Sequence, residues 1–165
     1  MVTKNRTEVK AQPGQLDYVI TREFNYPRPL VFKAFIDPRL YVQWLGTSRF
    51  KMILEIFEPT SGGCWRYIHV DKDGNEFRFH GVYHEVLEPQ RIIDTFEFEG
   101  LPETGHVSLE TARFDELPGN KTRLTIQAVF QSLADRDSML ASGMEKGISE
   151  SFDRLDELLG KMQPV

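Results

Sequence analysis

The amino-acid sequence predicts an α+β fold in which a curved antiparallel sheet is covered by one long C-terminal helix. Three observations carry this expectation. Leu140, Met144, Ile148, Phe152, Leu155, Leu159 and Met162 recur every three or four positions, which places one apolar stripe along a helix. From Phe50 to Phe130, short alternating segments rich in aromatic residues follow one another across turn clusters such as Ser61-Gly62-Gly63 and Pro118-Gly119-Asn120. Two short helical patterns precede that run. A sheet curved around a helix can leave a gap between the two, and that gap is the place to look for function.

The elements follow in order. Residues 1–15 are polar and contain Pro13-Gly14, and they read as a flexible arm ahead of a domain at 16–162. Leu16 to Phe24 alternates as a first strand, with Tyr18, Ile20 and Phe24 on one face. Pro29 suits the first turn of a short helix whose apolar side is Val31, Phe32, Phe35 and Ile36. Asp37-Pro38 supplies an N-cap and a first helical residue for a second short helix carrying Leu40, Tyr41, Trp44 and Leu45, which Gly46 closes. Strands are expected at about 50–57, 64–70, 76–87, 91–98, 106–115 and 121–130, joined as an antiparallel meander. Ser132-Leu133-Ala134-Asp135 then reads as a capping box opening a single helix of about 27 residues, roughly 40 Å long.

One hairpin fixes a register. Asp71-Lys72-Asp73-Gly74-Asn75 fits a three-residue loop with Gly74 in the left-handed conformation, which pairs Asp71 with Asn75. Trp65, Tyr67, His69, Phe77, Phe79, Gly81 and Tyr83 then share one face, assigned to the concave side. Arg66, Ile68, Glu76, Arg78, His80 and His84 take the other. A slip of one residue would scatter the rings over both faces.

Composition excludes several function classes. With 20 basic and 25 acidic residues the formal charge is −5, and no run of three basic residues occurs. Nucleic acid and anionic membrane are therefore not expected partners. The single Cys64 excludes an intrachain disulfide and a multi-thiolate metal site. The polar start is no signal peptide and no window approaches 18 apolar residues, so a cytoplasmic protein is expected. There is no phosphate-binding glycine loop, nucleophile elbow or paired-carboxylate signature, so no catalytic residue, metal or cofactor is assigned.

An ordered set of segments resembles a known family. It comprises Ile20-Thr21-Arg22-Glu23-Phe24, Pro27 to Phe35, Asp37-Pro38-Arg39-Leu40 with Trp44, Gly62-Gly63-Cys64-Trp65-Arg66-Tyr67, Asp73-Gly74-Asn75-Glu76 and Gly143-Met144-Glu145-Lys146-Gly147. These segments are similar to the heat-shock-protein-90 ATPase activator-like branch of the START-like (SRPBCC) superfamily, over roughly residues 16–162. The resemblance implies the helix-grip fold, in which the sheet grips the C-terminal helix. It also implies a hydrophobic cavity for an apolar or amphipathic small molecule, with two alternatives: a chaperone ATPase co-regulator acting through its surface, or a cyclase- or hydrolase-type enzyme. Ile148 stands where the family often has an aromatic residue.

The candidate cavity wall is Trp44, Trp65, Tyr67, Phe79, Tyr83, Phe96 and Phe130 from the sheet side, with His69 as a polar anchor. Met144, Ile148 and Phe152 face them from the helix. The hollow itself is expected between Tyr67, Tyr83, Phe96 and the middle of the helix, against the alternative of a filled core. Gly143 and Gly147 are read as helix-interior residues serving close packing. Arg22, Glu55, Arg66 and Glu110 are read as solvated charges on the outer sheet face. The four histidines, His69, His80, His84 and His106, are read as structural or surface groups rather than metal ligands. The chain is expected to act as a monomer or homodimer.

Overall fold

The structure, a computed structural model, describes residues 5–162. Among them, eight strands form one antiparallel sheet in the order β1-β2-β8-β7-β6-β5-β4-β3. They are β1 (Glu8–Lys10), β2 (Asp17–Phe24), β3 (Lys51–Phe57), β4 (Cys64–Val70), β5 (Glu76–Leu87), β6 (Arg91–Phe98), β7 (Ser108–Leu117) and β8 (Lys121–Val129). Helices α1 (Arg28–Ile36) and α2 (Pro38–Trp44) follow β2, and α3 (Leu133–Ala141) and α4 (Met144–Met162) end the chain. This is the helix-grip arrangement.

Local chemistry explains most boundaries. Asp37 caps α2, its carboxylate accepting from the Arg39 N–H at 2.9 Å, and Pro38 occupies the first turn. The Asp71 turn forms as the sequence predicts: Asp71 N–H donates to the Asn75 carbonyl at 3.0 Å, and Gly74 sits at φ 84°. Trp65 then pairs with Gly81, Tyr67 with Phe79 and His69 with Phe77, so the rings share the concave face. Ser132 caps α3 by accepting from the Asp135 N–H at 3.1 Å.

The long helix is two helices. Gly143 adopts φ 85°, a left-handed conformation that ends α3, and α4 restarts at Met144. The stripe has the helical period throughout, yet the axis breaks where the backbone leaves the helical basin. Neither glycine serves close packing, because a Cβ at Gly143 or Gly147 would meet no atom within 4 Å. Gly143 is needed for its backbone angle.

The expected N-terminal arm is also partly ordered. Residues 8–10 form β1 against β2, and the buried Arg136 of α3 donates to the Gln12 carbonyl at 2.6 Å. Residues 1–4 of that arm lie outside the described residues.

The core fills the space between the sheet and α1, α2 and α4. Phe24, Phe32, Trp44, Phe114, Phe152, Leu155 and Leu159 are at most 1% exposed. Burying each such side chain contributes about 1.5–3 kcal/mol. Arg22 corrects the reading of strand charges as solvated: it is 1% exposed and bonds Asp153 at 2.9 Å and Asp156 at 3.4 Å on α4. Position parity puts it on the inner face, and a buried guanidinium is tolerable only when paired. Glu55 and Arg66 do lie on the outer face, ion-paired to each other, with Arg66 also held by Glu99 at 2.9 Å.

Candidate functional site

The concave face opens into a cavity of about 720 Å³ beneath α3. Its walls are the rings of Phe50, Phe77, Phe79, Phe96, Phe98 and Phe130. The β6–β7 connection contributes Leu101, Pro102, Glu103 and His106, α3 contributes Asp135, Ser138 and Met139, and the residue that caps its C-terminus, Ser142, adds to them. His69 and Ser108 complete the lining. Phe77 and Phe79 come from alternate positions of β5 and Phe96 and Phe98 from alternate positions of β6, so strand periodicity gathers these four on one face, while Phe50 and Phe130 flank β3 and β8.

Only part of the wall expected from the sequence borders this cavity. Of the candidate wall residues, His69, Phe79, Phe96 and Phe130 border the cavity, whereas the others do not. Trp44 and Phe152 are 1% exposed core residues with ring centroids 6.1 Å apart, and the Trp44 indole donates to the Ala34 carbonyl at 2.9 Å. Trp65, Tyr67 and Tyr83 are buried, with Trp65 stacked on Tyr67 at 5.1 Å. Met144 and Ile148 pack half-buried on the core, away from the cavity wall. Because the break at Gly143 separates α3 from α4, α3 rather than the middle of α4 roofs the hollow.

The mouth is polar. His106 Nδ1 lies 3.0 Å from both carboxylate oxygens of Asp135, which joins the β6–β7 connection to the start of α3. Hydrogen bonding to Asp135 raises the His106 pKa above its ordinary value. Asp135 thus satisfies the helix start through its backbone N–H while its side chain holds the rim.

His69 sits at the other end. Its ring stacks on Phe50 at 5.5 Å and 19°, and its Nε2 is buried without a hydrogen-bond partner. Burial, aided by the Arg154 charge, pushes its pKa down to about 4. His69 is therefore a neutral, aromatic wall element at neutral pH.

One pleat deeper than Phe96 and Ser108, the inner face carries two carboxyls. Asp94 and Glu110 are direct partners across β6 and β7, and Tyr83 pairs with Asp94 on the β5 side. Glu110 corrects the reading of this residue as solvated. Desolvation pushes its pKa up to about 7. Desolvation and the neighbouring Glu110 charge raise Asp94 well above the carboxylate range. Like charges on directly opposed strand residues cannot both ionise without cost. Asp94 escaped the sequence reading, although the alternation Ile92, Asp94, Phe96, Phe98 in β6 signals it. The same strand count would have found Phe98.

A helix-grip protein with an aromatic cavity under its C-terminal helices is the class these features define. The chain belongs to the family described as activator of Hsp90 ATPase homolog 1-like protein, whose model matches residues 25–160. Solved structures agree on the fold. A protein from Arthrobacter aurescens superposes with a TM-score of 0.84 at 26% identity, over 93% of this chain and 91% of that one. A Rhodobacter sphaeroides protein gives 0.85 at 23% identity, over 95% and 99%. A protein from Silicibacter pomeroyi carrying the same family name gives 0.72 at 22% identity, over 89% and 99%. No functionally curated protein sequence matches the chain. Among the described residues, no group of three or more His, Cys, Asp or Glu is placed to hold a metal ion, and no helix is long and apolar enough to cross a membrane.

Proposed function

We propose that this protein binds an apolar or amphipathic small molecule in the phenylalanine-walled cavity beneath α3. The observation that carries this reading is a hollow of about 720 Å³ lined chiefly by rings. Close-packed interiors leave few voids larger than a water molecule, whereas ligand sites span roughly 300–1,000 Å³. Affinity comes from apolar surface removed from water, about 25 cal/mol per Å². The polar mouth at His106 and Asp135 keeps the entrance wetted.

Native mass spectrometry of the purified protein, with thermal shifts across a panel of lipids and aromatic metabolites, tests this reading. The expected outcome is one chemical class that raises Tm, with the shift lost in a Ser138→Trp variant that fills the space under α3. A silent panel would refute it. The family description favours a second reading, stimulation of a chaperone ATPase through the surface. An ATPase assay with Hsp90 at saturating protein tests it, and an unchanged rate removes it.

A further inference from the structure

The innermost part of the concave face carries two opposed acidic side chains. Asp94 and Glu110 stand opposite each other on central strands, with Tyr83 across from Asp94 and Tyr18 in the same row beyond Ala128. Both carboxyls are enclosed by protein and yet keep some accessible surface, as groups bordering an internal hollow do. Among the described residues no basic side chain acts on either one. Among the described residues Arg22 is the one Arg or Lys at an inner strand position, and Asp153 and Asp156 hold it.

A second observation points into the same spot. Trp65 is 5% exposed, and its indole Nε1 is buried without a hydrogen-bond partner. The indole lies close enough to favour the Asp94 carboxylate, but not at the distance and angle of a formed bond. Gly81 makes room for it: a Cβ there would lie 2.7 Å from the Trp65 ring. Tyr67, stacked on Trp65 at 5.1 Å, adds a second ring. Carboxylates and aromatic faces without a resident cation form the two halves of an ammonium site. The Phe96 and Ser108 walls of the cavity lie two residues along the same strands, roughly 7 Å away.

We propose that the Asp94–Glu110 pair, with the rings of Trp65, Tyr67 and Tyr83, receives the protonated amine of an elongated amphipathic ligand whose apolar body fills the cavity. This rests on the cavity reading above and names the ligand class, an alkyl or arylalkyl amine. The apolar part alone would occupy the hollow; the acid pair selects the cation over an equally long alcohol or acid.

Calorimetric titration with n-dodecylamine, n-dodecanol and dodecanoate separates the two claims. The amine is expected to bind the wild-type protein at least ten-fold tighter than the alcohol, and dodecanoate the weakest. In Asp94→Asn/Glu110→Gln the amine preference should fall to within two-fold, while unchanged dodecanol affinity shows that the variant is folded. Equal binding of amine and alcohol by the wild-type protein, or a preference that persists in the double variant, overturns the ammonium site and leaves the cavity standing. Binding of none of the three overturns both.

Discussion

Replacing Glu110 by Gln should stabilise the protein at alkaline pH and leave it nearly unchanged at acidic pH. Glu110 lies inside the sheet opposite Asp94 with no cation to compensate it. Burial raises its pKa from an ordinary 4.5 to about 7. The folded protein thus holds this proton more tightly than the unfolded chain. Stability is undiminished below pH 4.5, falls as pH rises from 4.5 to 7, and is lower by a constant amount above that. At 1.36 kcal/mol per pH unit the displacement corresponds to about 3 kcal/mol. An amide is isosteric and cannot ionise, so Glu110→Gln removes the penalty. For a chain of this size about 3 kcal/mol moves Tm by roughly 6–12 °C. Differential scanning calorimetry of both proteins at pH 4.5 and pH 8.5 measures it. A variant no more stable than wild type at pH 8.5 would refute the reasoning, because the carboxylate would then be solvated or paired.

Three further outcomes follow from the geometry. Gly143→Ala should cost about 1 kcal/mol or more from its left-handed backbone angle alone, whereas Gly147→Ala inside α4 should stabilise by about 0.5–1 kcal/mol; urea unfolding of the two variants compares them. Arg22→Ala removes the buried partner of Asp153 and Asp156 and should cost about 3–5 kcal/mol, with Arg22→Met costing less, as read by chemical denaturation. The His106–Asp135 contact supports the folded state fully below pH 6.5 and is lost as pH rises through the raised His106 pKa. Hydrogen exchange in residues 99–107 should therefore be faster at pH 8.5 than at pH 5.5 after correction for intrinsic rates, and His106→Ala should abolish the difference.

Much of the architecture was readable from local pattern. Alternation placed the strands, and the Asp71–Asn75 turn set a register that put Trp65, Tyr67, His69, Phe77 and Phe79 on one face. The caps at Asp37 and Ser132 formed as their side-chain chemistry requires. These features depend on neighbours in sequence or on the nearest hairpin. Period and short-range hydrogen bonding suffice to specify them.

The site was legible only in its ingredients. A ring on the concave face becomes core or cavity wall according to what covers it, and the covering is non-local. Trp44 and Phe152 meet each other and fill space, while Phe96 and Phe130 face a hollow because α3 turns away at Gly143. Glu110 and Arg22 look alike as charges within strands. Arg22 finds carboxylates on α4, and Glu110 finds another acid.

Sequence by itself therefore determined the order of elements, the register of the central hairpin and which side chains share a face, since each follows from short-range backbone geometry. Only the tertiary structure decided where space remains between the layers and which buried charges are left without a counter-ion. Those depend on how helices far along the chain settle onto the sheet, and no local period encodes that distance.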